Sequence, residues 1–471
     1  MDQVEPARSA ATRPRRRWWA VLVVVLAAAL VAGLLVVVGQ TWDAPDVAAP
    51  GGTPAGTPGR TPDSGGPEAS AAGRDAAVRA ILDRRSAAVL ERDRDAFLAD
   101  LDPEADDFRA AQEQLFDNLT RLRFTTFRYE PTGTEFNRPD LAETYGVPHY
   151  VAAVLVHHQL AGYDGAPVAR PQGLTFVRRD GRWLLASDTD VDRELPETGH
   201  ADPWDRRPIA VREGRRALLI ADRQDKGRLG ALLRAADQAV QRVSRMWPDG
   251  WRQKVVVVAV DDEVVLETYF RTALQTSESV AAIAVPAYDA VPGWSPESVQ
   301  RAEKSLPPRS RVILNTAFFD PADSGNRDLL THEVTHVATQ GDTRPGAPTW
   351  LVEGVAEYTA YRHLRPFALE LPPSLRTQVE AGSVHLPTYE FYQRDVAANY
   401  LIGFLASAWV AERYGEDRLR TLHRRLAGTP TEAMTGQRTR TVLRKVLGVS
   451  TEQFQVDVAA YAARVASRTP S

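Results

Sequence analysis

Cysteine is absent from the 471-residue chain. That removes disulfides, thiol chemistry and lipoprotein attachment together, so each folded part must stand on its own hydrophobic core. Lysine is nearly absent too: it occurs only at Lys226, Lys254, Lys304 and Lys445, and the other basic residues are arginine. We read this as a coding bias toward GC-rich DNA. A basic excess is also missing. The formal net charge is -4, and no downstream segment gathers a basic face, which argues against a nucleic-acid partner. No internal repeat is visible. The remainder is ordinary for folded material, 44% hydrophobic and 25% charged, with room for two or three domains.

The amino-terminal end departs from that pattern. Arg13, Arg15, Arg16 and Arg17 precede an uncharged apolar run from Trp18 to Val38, close to the ~20 residues a helix needs to cross a bilayer. The expectation is a basic cytoplasmic tail over 1–17 and a transmembrane helix over 18–39. By the positive-inside rule the rest of the chain then lies outside the cell, making a single-pass membrane protein with an extracellular catalytic domain. A cleaved signal peptide is the competing reading, but its core usually runs only about 7 to 15 residues and no A-x-A site follows here. Residues 40–73 are rich in Pro, Gly, Ala, Thr and Ser, a composition that builds no core and predicts a flexible spacer.

Residues 74–196 read as α+β. A helical pattern from Asp75 to Leu98 and another around Phe108 to Leu119 precede strand-like runs at Leu122–Tyr129, Tyr150–Leu160, Leu174–Arg178 and Trp183–Ala186. The Arg179-Asp180-Gly181-Arg182 turn makes the last two a hairpin. This order, ending in FVRRDGRWLLASD, resembles the NTF2-like cone fold. Its polar candidates are His149, His157, His158 and Asp188. Adjacent His157 and His158 on a strand point to opposite faces and cannot jointly chelate a metal, so this domain is expected to be a non-catalytic binding or spacer module. The polar connector Glu197 to Arg207 marks its boundary.

Chemistry concentrates in the last domain, 207–471. Thr331-His332-Glu333-Val334-Thr335-His336 is an HExxH sequence in a helical pattern, with Asn326 as the expected N-cap and Gly341 as the stop. Residues four apart share a helix face, so His332 and His336 can present two imidazole nitrogens to one metal while Glu333 points at a water bound to it. Trp350 to Tyr361 reads as a second helix, with Glu353 and Glu357 four apart and facing the first. The bland alternative makes these histidines ordinary helix residues and these glutamates solvated charges. Upstream, Lys254–Val260, Val280–Val285 and Ser310–Asn315 read as strands. The end of the chain, Thr431 to Ala466, reads as helices.

The segments THEVTH, WLVEGVAEY and NYLIGFLASAWVAERYG together resemble the gluzincin metallopeptidases, in particular the bacterial peptidase MA-like domain related to thermolysin and the M1 aminopeptidases. The resemblance implies a zincin-like fold with a C-terminal helical part, and one Zn2+ held by His332, His336 and Glu353. It implies Glu333 as catalytic base, Glu357 as an acid that hydrogen-bonds a ligand imidazole, and an edge strand that pairs with extended substrate. A phenol to stabilise the oxyanion is expected at Tyr400, with His385 and His363 as weaker candidates and packing as the alternative. Val280 to Pro286 lacks the acidic residue of the GAMEN-type segment, so aminopeptidase activity is not implied. The expected function is hydrolysis of peptide or protein substrates of the cell envelope. A catalytically silent zincin-like scaffold that binds an envelope protein or peptide, and hydrolysis of a non-peptide envelope amide, are the alternatives. Oligomeric state is not legible.

Overall fold

The computed structural model describes residues 70–192, 202–271, 280–287, 309–344, 347–364, 366, 369–387, 391–428 and 436–468, and the architecture is mixed α+β. Helix α1 (Ala71–Glu91) starts inside the expected spacer, because the Ser70 hydroxyl accepts the Gly73 N–H and caps it. The single helix expected to Leu98 is broken. Arg92 takes a left-handed conformation (φ 60°), and the Asp93 carboxylate accepts the Ala96 N–H to start α2 (Arg94–Leu98), a side-chain cap that competes with helix continuation. Helix α3 (Asp106–Leu119) follows. Strands β1 (Phe124–Glu135), β2 (His149–Leu160), β3 (Val168–Arg179) and β4 (Arg182–Ser187), with the short helix α4 (Leu141–Tyr145) between the first two, form an antiparallel sheet in chain order.

After a one-turn helix, α5 (Pro203–Arg206), a second sheet forms from β5 (Ile209–Glu213), β6 (Ala217–Asp222), β7 (Val255–Val260), β8 (Ala282–Ala287) and β9 (Arg309–Asn315), in the order β5-β6-β7-β9-β8. The central strands are parallel and both edges antiparallel. The Val255–Val260 run is buried at every position, as befits a strand covered on two faces. On one face Leu219, Val257 and Leu314 meet α6 (Leu229–Met246) and the helices that follow. On the other, Ile220, Val256, Val258 and Ile313 share one core with Leu82, Phe127, Phe176 and Trp204 of the amino-terminal half. The amino-terminal unit therefore covers one face of the central sheet. Arg311, 2% exposed on β9, seals the junction: its Nη2 donates to His158 Nε2 (3.1 Å) and lies 3.3 Å from Asp164 Oδ2.

Helix α7 (Glu263–Arg271) lies on the amino-terminal side, where Val265, Leu266 and Tyr269 join that core; the helical layer on the other face comprises α8 (Ser324–Thr339), α9 (Thr349–Tyr361), α10 (Pro373–Glu380), α11 (Val396–Tyr414), α12 (Glu416–Ala427), α13 (Gly436–Leu447) and α14 (Thr451–Arg468). Helices α9 and α11 touch backbone to backbone. A Cβ at Gly354 would lie 2.3 Å from the Gly403 carbonyl oxygen, so only glycine permits this approach.

The membrane expectation is corrected. Among the described residues no helix is long and apolar enough to cross a membrane, so a single-pass, cell-surface placement is not supported. The tail over 1–17 and the run over 18–39 on which it rested lie outside the described residues, as does all of the spacer before Ser70.

Candidate metal centre

Helix α8 is capped by the Asp323 carboxylate, which accepts the Asn326 N–H; the cap is thus Asp323, three residues before the expected Asn326. The α-helix ends at Thr339 and continues into a 3-10 turn, Gln340–Asp342, in which Gly341 sits. On α8, His332 and His336 stand one turn apart with their Nε2 atoms 3.0 Å from each other. From α9, Glu353 Oε2 reaches to 3.3 Å from His332 Nε2 and 3.5 Å from His336 Nε2. A tetrahedral ion with bonds near 2.0 to 2.1 Å separates its donor atoms by about 3.3 Å, and the observed triangle matches that spacing. Glu353 Oε2 is buried and makes no well-directed hydrogen bond, its polar neighbours being the two imidazole nitrogens. His332, His336 and Glu353 could therefore hold a metal ion; among the described residues this is the one such group.

The surrounding carboxylates set its electrostatics. Glu357 Oε1 lies 2.9 Å from His332 Nδ1, which favours a proton on Nδ1 and leaves Nε2, facing the other donors, as the atom that a second proton or a metal would take. Burial alone lowers the His332 pKa, but Glu353 and Glu357 outweigh it and lift the group well above its ordinary value. The pocket thus favours a positive charge. Burial opposes ionisation of Glu353 as well, yet His336 and His332 hold its pKa down at about 2. Glu357 is raised, chiefly by burial.

Glu333 lies beside the triangle and outside it. Its Oε2 accepts the Ala284 N–H of β8 at 2.7 Å, while Oε1 is buried without a hydrogen-bond partner. Burial pushes its pKa up to about 7 against the opposing pull of His332 and His336. Since the Ala284 N–H turns away from β9, the alternation of an antiparallel ladder places Pro286 outward too, where a missing N–H breaks no pairing.

Tyr400 sits in the second turn of α11. It is fully buried, its ring 6.2 Å from that of His332, and its hydroxyl, near Glu353, makes no well-directed hydrogen bond. Burial, then the Glu353 charge, holds its pKa well above the ordinary phenol value, so the proton stays on. Tyr392, unforeseen in the sequence, donates from its hydroxyl to Glu353 Oε1 at 3.1 Å. It lies in Phe391-Tyr392-Gln393, outside any periodic element, and no spacing signal marked it.

The other histidines stand apart. His363 is exposed at the end of α9, near the Ala360 carbonyl and 3.7 Å from Asp328, and His385 is exposed beyond α10. In the amino-terminal unit, His149 contacts the Arg138 carbonyl, His157 faces Glu130 at 3.1 Å and His158 faces Arg311. The divergence of the adjacent pair follows the strand alternation. Asp188 accepts from Gln112 at 2.8 Å. No family model matches the chain, and none of the curated proteins matches it.

Proposed function

We propose that this protein is a zinc-dependent metallopeptidase of the gluzincin type, with His332, His336 and Glu353 as metal ligands and Glu333 as general base. The observation that carries this reading is the asymmetry of Glu333: one carboxylate oxygen is fixed by the Ala284 N–H and the other is buried and unpaired, in a group that feels the charges of His332, His336 and Glu353. A purely structural glutamate has no reason to keep an unsatisfied oxygen at a cost of roughly 1 to 3 kcal/mol or more, whereas a base needs one.

Two imidazoles and one carboxylate suit zinc better than the oxygen-only sites of calcium or magnesium. Bound there, zinc supplies a Lewis acid and a water whose pKa falls toward 7. Glu333 Oε1 would take a proton from that water and return it to the leaving amine. The Tyr400 hydroxyl, which retains its proton, donates to the oxyanion that forms at the attacked carbonyl. With the Ala284 N–H held by Glu333 and no N–H on Pro286, the outward carbonyls of β8 are what remains to align an extended peptide along this edge. In fold terms we read the amino-terminal unit as an NTF2-like cone and the second unit as zincin-like.

The test compares Glu333→Gln with His336→Ala in the full chain. Glu333→Gln keeps metal and loses peptide hydrolysis by roughly 10²- to 10⁴-fold; His336→Ala loses both. Undiminished turnover in Glu333→Gln sinks the mechanism.

A further inference from the structure

Of the three metal-directed side chains, Glu353 is the one that can change how it binds, since a carboxylate can offer one oxygen or two. Its oxygens are not equivalent here. Oε2 faces both imidazole nitrogens, while Oε1 accepts the Tyr392 hydroxyl at 3.1 Å. Tyr392 is itself held in place: its ring packs edge-on to Phe391 at 4.8 Å between centroids and lies 6.4 Å from Tyr400, and Phe391 meets Tyr400 at 5.0 Å. Phe391 and Tyr400 are almost fully buried. The aromatic cluster therefore fixes the phenol at the outer oxygen of the carboxylate, much as Glu357 is fixed at the outer nitrogen of His332.

We infer that Tyr392 is a positioning residue for the metal centre: by holding Glu353 Oε1 it aims Oε2 at the two imidazole nitrogens and would leave that oxygen as the one a metal takes. This rests on the reading of His332, His336 and Glu353 as metal ligands. It assigns the two tyrosines different work, with Tyr392 acting on the metal through Glu353 and Tyr400 acting on substrate. The difference follows from what each hydroxyl meets. One donates to Glu353 Oε1 at 3.1 Å, and the other, although near Glu353, makes no well-directed hydrogen bond.

The experiment is a chelator-competition titration with zinc alone on the full chain, comparing wild type, Tyr392→Phe and Tyr400→Phe, each checked for a cooperative thermal transition in the metal-free state. Outer hydrogen bonds to metal ligands are worth 10- to 100-fold in affinity. Tyr392→Phe is expected to weaken zinc binding by about that factor with its metal-free transition preserved, whereas Tyr400→Phe binds zinc within about twofold of wild type and loses turnover. Zinc affinity in Tyr392→Phe equal to wild type overturns the inference, as does a Tyr392→Phe defect confined to kcat, which makes Tyr392 the substrate-facing phenol. Failure of folded wild type to bind zinc removes the metal reading itself, a result distinct from either.

Discussion

Gly354 follows the proposed ligand Glu353 at the close approach of α9 to α11, and replacing it by alanine tests whether that approach sets the geometry of the proposed metal site. A Cβ there meets the Gly403 carbonyl oxygen at 2.3 Å, its carbon at 2.7 Å and Ser407 Oγ at 2.8 Å. Side-chain Cβ atoms essentially never come within 3.0 Å of such neighbours, so the first contact is short by about 0.7 Å. The obstructing atoms are mostly backbone and cannot rotate away. The helices must part. Metal sites tolerate ligand displacements of only ~0.2 Å, so a shift of this size at the residue after Glu353 withdraws the carboxylate. The same change at Gly403 brings a Cβ to 2.8 Å from the Trp350 carbonyl oxygen, short of 3.0 Å by about 0.2 Å. Overpacking costs about 1 to 3 kcal/mol; Gly354→Ala belongs at the upper end and Gly403→Ala at the lower. Urea unfolding of the metal-free full chain reads the stability, and chelator competition reads the zinc. Gly354→Ala is expected to lose more than about tenfold in zinc affinity and to be the less stable of the two. Equal behaviour of the two variants, or a harmless Gly354→Ala, refutes the argument.

Two further outcomes follow from the junction between the halves. Deleting residues 70–192 exposes the face of Ile220, Val256, Val258 and Ile313, so the remaining chain should aggregate or lack a cooperative transition by circular dichroism; a monomeric, cooperatively melting fragment contradicts this. Burial holds the His158 pKa down at about 4, against an ordinary 6.5. The unfolded chain therefore binds the proton first as pH falls: the stability from this group is full above pH 6.5 and is lost between there and pH 4, by roughly 3 kcal/mol in all. Urea midpoints at pH 7 and pH 4.5 should fall less in His158→Gln than in wild type, and identical falls contradict the assignment.

The site was legible in the sequence to the extent that it depends on helical periodicity. His332 and His336 at four-residue spacing, and Glu353 and Glu357 at the same spacing on the next helix, converge as the pattern implies. The second helix, expected from Trp350 to Tyr361, is observed as Thr349–Tyr361. Tyr392 and the Ala284 N–H were invisible for a shared reason: their roles arise from how a loop and an edge strand pack against α8 and α9, and neither leaves a period in the chain. In the sheets, the Val255–Val260 run announced itself. Strands β5 and β6 did not, although Ala217–Asp222 is as uniformly buried, because a short apolar run reads equally as helix or strand. The docking of the two halves was hidden because an alternating or continuous apolar strand states that a face is buried, never against what.

The most direct measurement is the zinc content of purified full chain by elemental analysis, beside His332→Ala, each shown to be folded. About one zinc per chain in the wild type and almost none in His332→Ala is the predicted result. Folded wild type that takes up no zinc when supplied with it contradicts the account at its centre.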